Sequence, residues 1–201
     1  MVKQNSRRAI QAEQTRAEIL RAAREQFVAT GYAATSLKGI AAQAGVSVQT
    51  VYDSVGSKAD LVRRLNDLID EEAQIGEIAH ELDAETDPVA VVGISATITC
   101  RIVERCGDIV RIGLDGARTE AGLAPIIEEG GRRHRAGARR AAERLAALDA
   151  LASGVSVDDA AISIATLSDV RVAFVLLDDH GLELDAVRTW IAATAAKAVL
   201  R

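Results

Sequence analysis

The sequence contains few aromatic residues and few prolines, and both shortages restrict the fold. Aromatic residues make up 2% of the 201-residue chain although 49% of it is hydrophobic, so a core must consist of Ala, Val, Leu and Ile. The only prolines, Pro88 and Pro125, leave long stretches free to form helices. No apolar run reaches the length of a membrane span, and the N-terminus is polar and charged. These features predict an all-α, cytoplasmic protein.

The cysteines and histidines do not form a pattern typical of a disulfide or a metal site. Cys100 and Cys106 are six residues apart, which on one helix separates their directions by about 240°. His80, His134 and His180 have no second ligand at metal spacing. We therefore expect reduced thiols, no metal, no cofactor and no catalytic residues.

Charge is distributed unevenly along the chain. Residues 1–64 hold ten Lys or Arg against five Asp or Glu, a net charge of +5, whereas residues 65–201 hold 14 against 24, a net charge of −10. A basic N-terminal part on an acidic remainder indicates a small polyanion-binding module joined to another domain. The Arg-rich run at 132–144 lies in the acidic part, and we interpret it as the solvated side of a helix.

Residues 35–58 have the pattern of a helix-turn-helix. Ile40 lies on an apolar helical face, and Gly45 can adopt the positive φ at which that helix ends. Ser47 is suited to cap a second helix, whose apolar face includes Val51. The outer face of this second helix is short, mostly polar and suited to a DNA major groove: Val48, Gln49, Thr50, Tyr52 and Asp53. The alternative is a helical hairpin with no role in DNA binding.

About nine helices are expected over the whole chain. After a polar tail at 1–12, helical periodicity and capping residues predict helices at about 14–30, 57–79, 89–106, 109–116, 125–152, 156–179 and 184–200. Between the first two of these lie the two short helices of the helix-turn-helix, one capped by Thr35 or Ser36 and ending at Gly45, and one capped by Ser47. Asp60 is expected to complete a capping box with Ser57. We divide the chain into an N-terminal domain, 1–56, and a C-terminal domain, 57–201.

Residues 14–62 resemble the N-terminal domain of TetR-family transcriptional regulators. The shared marks are Phe-x-x-x-Gly-Tyr, Thr-Ser-x-x-x-Ile-Ala, Ala-Gly-Val-Ser, Thr-Val-Tyr and Gly-Ser-Lys. The resemblance implies an all-α fold with a helix-turn-helix DNA-binding domain followed by a helical ligand-binding and dimerisation domain. It further implies a homodimer formed through the helices at about 156–179 and 184–200. Such a dimer binds a palindromic operator in double-stranded DNA, most often as a repressor, and a small-molecule effector releases it.

The resemblance also implies a set of DNA contacts. Thr35 and Ser36 correspond to phosphate contacts at a helix N-terminus, and Lys58 to a phosphate-binding lysine at the start of the connecting helix. The full set is Thr35, Ser36, Lys38, Ser47, Val48, Gln49, Thr50, Tyr52 and Lys58. The sequence departs from the family pattern at Val48, which cannot hold phosphate, and at Asp53 and Ser54, where aromatic or basic residues are common.

The layout of the family points to a ligand pocket in the C-terminal domain. The expected lining residues are Ile69, Ile94, Thr97, Ile98 and Arg101. The alternative is that this segment is ordinary core, with Cys100 buried among apolar side chains and an Arg101–Glu104 ion pair on the surface. The low aromatic content favours an aliphatic pocket and an acyl or terpenoid-like ligand.

Two other functions remain open from the sequence. A helical dimeric interaction protein with weak or lost DNA binding is compatible with Asp53 and Ser54. An all-helical enzyme is less favoured, since no nucleophile lies at a plausible spacing from a base and no glycine-rich phosphate loop is present.

Overall fold

We describe the protein from a computed structural model that covers the backbone of residues 2–201 and the side chains of residues 7–201. Within this range the fold is all-α, which confirms the predicted class. The helices are α1 (Val2–Ala34), α2 (Leu37–Gln43), α3 (Val48–Ser54), α4 (Lys58–Asp67), α5 (Ile69–Glu72), α6 (Ile75–Ala84), α7 (Pro88–Gly116), α8 (Ala124–Ala147), α9 (Val157–Leu167), α10 (Val170–Asp178) and α11 (Leu184–Val199), with a 3-10 helix at Ala121–Leu123.

Eleven α-helices are present in the described residues, rather than about nine. The predicted helix at 57–79 is three helices, with one break at Leu68 and a second at Gln74, which adopts a left-handed conformation (φ 52°) immediately before α6. The predicted helix at 156–179 is two, because Asp169 caps α10. Conversely, the segments at 89–106 and 109–116 form the single helix α7.

The N-terminal segment also differs from its prediction. The backbone is helical from Val2 onwards, so the prediction of a tail is wrong for residues 2–12, and Met1 lies outside the described residues. The non-helical residue Gly31 (φ 80°, ψ 162°) interrupts α1 near its end. Positive φ is a conformation that glycine adopts without steric cost.

The chain divides into two compact units. We call Met1–Leu68 with Asp108–Ile127 the head unit, and Ile69–Gly107 with Glu128–Arg201 the body unit. The helix α7 therefore contributes its last residues to the head unit. This division differs from the expected boundary at residues 56 and 57, which as a functional boundary remains a prediction.

The head unit is built around α1, which packs against α2, α3 and α4. Phe27 is 1% exposed, and its ring stacks on that of Tyr32 with centroids 5.6 Å apart. Ile19, Ile40 and Leu61 are fully buried. This core supports the short helices α2 and α3, which would be marginal in isolation.

The body unit has aliphatic cores. One buried cluster joins α6, α7, α8, α9 and α11 and includes Val91, Leu145 and Ile164. A second cluster joins α7 to α10 and α11. Across the described residues no single helix is long and apolar enough to span a membrane, although α9 and α10, bent by 41°, pass that test together.

Candidate nucleic-acid interface

The helices α2 and α3 form the predicted helix-turn-helix in the head unit. Gly45 adopts φ 68° at the turn, as its position predicts. The Val46 amide donates to the Ala41 carbonyl at 3.0 Å and closes the turn. Ile40 on α2 and Val51 on α3 are both fully buried. The apolar faces of the two helices are thereby covered, and the opposite face of α3 is exposed.

Both helices begin with a serine cap. Ser36 Oγ accepts from the Gly39 amide at 3.1 Å, and Ser47 Oγ accepts from the Thr50 amide at 3.0 Å. The Ser47 and Thr50 hydroxyls also lie 2.8 Å apart. Each cap satisfies a backbone N–H that has no partner within the helix, a contribution of about 1 kcal/mol. The capping box of Ser57 and Asp60 at the start of α4 is confirmed as well.

The exposed face of α3 carries the residues expected to contact DNA bases. Gln49 and Tyr52 are exposed, Tyr52 by 52%, and Val48 and Thr50 are half-buried. Gln49 Nε2 donates to Asp53 Oδ1 at 2.8 Å. The Asp53 carboxylate therefore has a partner one helical turn away. A base contact by the Gln49 amide competes with this hydrogen bond.

Thr35 has a different environment from Ser36. Thr35 is only 4% exposed. Its Oγ1 donates to the Gly31 carbonyl at 2.8 Å and lies 2.9 Å from Thr30 Oγ1. The hydroxyl thus stabilises the end of α1, which differs from the phosphate contact that the resemblance implies. Ser36 is exposed.

Lys58 is likewise engaged with the protein itself. Its Nζ donates to the carbonyls of Tyr32 at 2.8 Å and Thr35 at 3.1 Å. The same ammonium lies 4.2 Å from the centroid of the Tyr32 ring. Lys38, by contrast, is exposed on α2. Of the two lysines expected to meet DNA, only Lys38 is turned to solvent.

Two arginines that the sequence did not single out support the head unit. Arg16 Nε on α1 donates to the carbonyl of Ser54, the last residue of α3, at 3.3 Å. Arg24 donates twice to Asp108 on α7, at 2.5 and 2.7 Å. These partners are 38 and 84 residues apart in the chain, so no local pattern could have identified them.

Burial and hydrogen bonding act in opposite directions on the Asp108 carboxyl. Burial alone would raise its pKa, but the hydrogen bonds and the charge of Arg24 outweigh burial and hold the pKa below its usual value. The ion pair therefore favours the charged form of Asp108 in the folded state.

The residues expected to line a ligand pocket lie in the body unit and are engaged with the protein itself. Ile69 and Ile94 are buried, and Ile98 packs against the larger apolar cluster. Thr97 Oγ1 donates to the Gly93 carbonyl at 3.0 Å, and Arg101 Nη1 donates to Gln74 Oε1 at 3.1 Å. Their contact with a ligand remains a prediction.

Cys100 lies in the second apolar cluster and is 5% exposed. Burial raises the pKa of its thiol to about 11. This environment agrees with the interpretation of Cys100 as core. In the part of the chain with described side chains, no three His, Cys, Asp or Glu residues are grouped as metal ligands would be.

A cleft of about 330 Å³ lies elsewhere in the body unit, and none of the five expected pocket residues lines it. His134 Nε2, at its wall, is 2.8 Å from the Ala165 carbonyl oxygen. The lining residues are Gly131, His134, Arg135, Ala165, Thr166, Asp169, Arg171 and Val172.

The Arg-rich run on α8 is largely neutralised. Arg132 pairs with Glu129 at 2.5 Å, and Arg140 pairs with Asp83 at 2.9 Å. Arg133 pairs with Asp70, and Arg139 pairs with Glu143 and Asp158. These exposed ion pairs contribute little stability each, but they reduce the attraction of this surface for a polyanion. The run is a solvated helix face, as we interpreted it.

Comparison with known proteins agrees with the architecture of the head unit. The sequence model of the tetR family of bacterial regulatory proteins matches residues 19–65, which contain the whole helix-turn-helix. The similarity to the tetR family therefore lies in the helix-turn-helix region of this chain. Its HTH-type relative TtgR from Pseudomonas putida is 38% identical over 79 residues, a stretch that spans 39% of this chain and 38% of TtgR.

The TetR-type fold extends over almost the entire chain. The structure of a SmeT–triclosan complex matches with a TM-score of 0.75 at 20% identity and covers 94% of this chain and 92% of that one. The transcriptional regulator FadR from Bacillus subtilis, solved with stearoyl-CoA, matches with a TM-score of 0.73 at 16% identity, covering 90% and 98%. At 16% and 20% sequence identity, the similarity to these two structures shows a shared fold and no more.

Proposed function

We propose that this protein is a transcriptional regulator that binds a palindromic DNA operator as a homodimer and is released by a small molecule. The observation that carries the proposal is the exposed polar face of α3, which is capped by Ser47 and backed by buried Val51. A short helix held in this way can enter the major groove of DNA. The tetR match over residues 19–65 supports the same function.

The proposed DNA contacts are the exposed and half-buried residues of the two helices. Ser36 and Lys38 on α2 meet phosphates, which anchor the protein without reading sequence. Residues of α3 reach base edges, where Gln49 can pair with adenine and Val48 can touch a thymine methyl group. The contacts on α3 are Ser47, Val48, Gln49, Thr50 and Tyr52.

The homodimer is proposed to form through α9–α10 and α11. Three large apolar side chains on these helices are exposed in the single chain: Ile162 by 66%, Val175 by 46% and Trp190 by 40%. Exposed apolar surface of this kind is typical of association sites. Two-fold symmetry would set the two α3 helices about 34–36 Å apart, one turn of DNA.

The effector is proposed to bind the body unit. SmeT has been solved with triclosan and FadR with stearoyl-CoA, which supports a small organic ligand for this chain as well. Ile69, Ile94, Thr97, Ile98 and Arg101 remain the proposed lining. A ligand with higher affinity for a form unable to bind DNA shifts the population away from DNA by its differential affinity.

Selection from a random duplex library tests DNA recognition. We expect the purified protein to enrich a palindromic sequence, and a Gln49→Ala, Tyr52→Ala double variant to bind it at least about 30-fold more weakly, since two base contacts contribute about 1–3 kcal/mol each. The control is His80→Ala with Thr86→Ala, two exposed residues of the body unit, which should leave affinity unchanged.

Two results would count against the proposal. A folded protein that enriches no sequence at low salt would refute DNA recognition. A double variant with unchanged affinity would instead favour an interaction protein that does not read DNA through α3. Sedimentation velocity tests the dimer, for which we expect a species of twice the 21.2 kDa chain mass.

A further inference from the structure

Lys58 is the first residue of α4, yet its side chain is directed to the end of α1. Its Nζ lies within hydrogen-bond distance of three backbone carbonyls: Tyr32 at 2.8 Å, Thr35 at 3.1 Å and Ala33 at 3.5 Å. A lysine ammonium has three N–H donors and no acceptor. These carbonyls can therefore occupy all of its donors, and a DNA phosphate would have to displace one of them.

The carbonyls around the end of α1 need such a partner. The last C=O groups of a helix have no partner within it, and they carry the negative end of the helix dipole. Here Gly31 interrupts α1 (φ 80°, ψ 162°) just before these residues. A cation next to them is stabilising, whereas a cation in the first turn of α4 is not favoured by the dipole of α4 itself. The contacts with α1 explain why a lysine is tolerated there.

The Tyr32 ring gives the ammonium a second interaction. Tyr32 is 6% exposed, and its ring stacks on Phe27. The ammonium lies 4.2 Å from the centroid of the ring, within the range of a cation–π interaction. Tyr32 is thereby held between the core and Lys58. The segment between α1 and α2, which leads to the cap Ser36, is held by the same group.

We propose that Lys58 is a positioning residue that fixes the junction of α1 and α2, and through it the helix-turn-helix, and that it does not bind DNA phosphate. The part of this proposal that concerns DNA rests on the proposed function. The part that concerns the junction does not. Lys38, exposed on α2, is the matched residue for which a phosphate contact is proposed.

Salt dependence of DNA binding separates the two roles. Affinity for a mixed-sequence 30-bp duplex is measured against salt concentration for the wild type, Lys58→Met and Lys38→Met. Each lost phosphate contact lowers the slope of log K against log salt by about 0.9. We expect this decrease for Lys38→Met only. Lys58→Met should bind more weakly at every salt concentration with the wild-type slope.

Thermal unfolding without DNA tests the junction itself. Loss of a charge-assisted hydrogen-bonded group should lower the melting temperature of Lys58→Met by about 5 °C, whereas Lys38→Met should melt like the wild type. Lys58→Arg should recover at least half of the loss, because a guanidinium also donates to carbonyls.

NMR of the wild-type chain avoids any dependence on the variants' folding. The chain has four lysines, so ¹⁵N-lysine labelling gives few side-chain ammonium signals, and Lys58→Arg assigns one of them. We expect the Lys58 ammonium signal to be protected from exchange without DNA and not to shift when the duplex is added. The Lys38 signal should shift.

The outcomes distinguish this proposal from the proposed function. A lower salt slope for Lys58→Met, or a DNA-induced shift of the Lys58 ammonium, would overturn the positioning role and leave DNA binding intact. An unchanged melting temperature of Lys58→Met would also overturn it. If the wild type bound no DNA, the proposed function would fail, and the melting and exchange measurements would still decide the role of Lys58.

Discussion

The head unit and the body unit differ in their cores, since Phe27 stacks on Tyr32 in the head unit whereas the clusters of the body unit are aliphatic. In the body unit, broad aliphatic clusters join up to five helices.

Both units use side chains to satisfy helix ends, and in the body unit Arg105 on α7 donates to the Glu72 carbonyl at the end of α5 at 2.9 Å. In the head unit, Lys58 on α4 and Thr35, which follows α1, donate hydrogen bonds to carbonyls at the end of α1. Arg16 on α1 donates to a carbonyl at the end of α3. The seven-residue helices α2 and α3 would be marginal in isolation, so they depend on their packing against α1 and on their fixed ends.

The balance of basic and acidic side chains also differs between the two units. The head unit carries 12 basic and nine acidic side chains, and the body unit carries 12 and 20. The number of basic residues is therefore equal, and the excess of acids distinguishes the body. Four of the six arginines on its α8 are paired with carboxylates: Arg132, Arg133, Arg139 and Arg140. A basic residue indicates a polyanion site only where the fold leaves its charge uncompensated, as at Lys38.

The largest effect is expected from the aromatic core of the head unit. Phe27→Ala should lower the free energy of unfolding by about 3–5 kcal/mol, because it removes a fully buried ring and leaves a cavity beside Tyr32. Urea unfolding followed by circular dichroism measures it. The neighbouring Val28→Ala, at a residue 58% exposed, is the control and should change stability by less than about 0.5 kcal/mol. Equal effects of the two variants would show that the head unit does not depend on this core.

Smaller effects are expected at two glycines of α7, one in each unit. Substitution by Ala should change the free energy of unfolding in opposite directions at the two sites. A Cβ at Gly116 in the head unit would lie 2.5 Å from Leu123 Cδ1 and 3.1 Å from Tyr32 Cγ, whereas a Cβ at Gly93 in the body unit would meet nothing within 4 Å. Gly116→Ala should cost about 1–3 kcal/mol of unfolding free energy through overpacking. Gly93→Ala should add about 0.5–1 kcal/mol by removing a helix-interior glycine.

Chemical denaturation of both glycine variants provides the measurement. Stabilisation by Gly116→Ala would mean that the end of α7 is not closely packed against Tyr32 in solution. A lower free energy of unfolding for Gly93→Ala would mean that the surroundings of Gly93 in the body unit are more closely packed than the structure indicates.

The smallest effect is expected from the Arg24–Asp108 ion pair of the head unit and should depend on pH. Although burial opposes it, Arg24 holds the pKa of Asp108 below the value of an unfolded chain. The stability from this shift is present above the unfolded pKa, near 4, and is lost as pH falls through the folded pKa. Asp108→Asn should flatten the decrease in unfolding free energy as pH falls below the unfolded pKa, by at most about 1 kcal/mol, the contribution of a solvent-screened ion pair.

Thermal and urea unfolding at several pH values measures this contribution. The exposed Asp115 on the same helix supplies the control Asp115→Asn, which should keep the wild-type pH profile. A pH profile of Asp108→Asn identical to that of the wild type would show that the ion pair adds no pH-dependent stability.

Helix ends were predictable where the signal lies within a few residues. Gly45, the Ser47 cap and the capping box of Ser57 with Asp60 are all as the sequence indicates, because caps and turns depend on neighbouring backbone groups. The break at Gln74 was missed, since glutamine carries no turn signal. The expected interruption near Gly107 does not occur, and a Cβ there would touch Phe174. Tertiary packing in this region outweighs the low helix propensity of glycine.

The sequence by itself determined the all-α class, the helix-turn-helix, its caps and the outward face of α3, because periodicity and capping act over one or two helical turns. Only the tertiary structure decided which charged and polar residues have partners far away in the chain. Lys58 meets carbonyls 23–26 residues earlier, and Arg24 meets Asp108, 84 residues later. Such partners depend on which distant groups the fold brings together, and for Lys58 they support the positioning role that we propose in place of the phosphate contact that the resemblance implies.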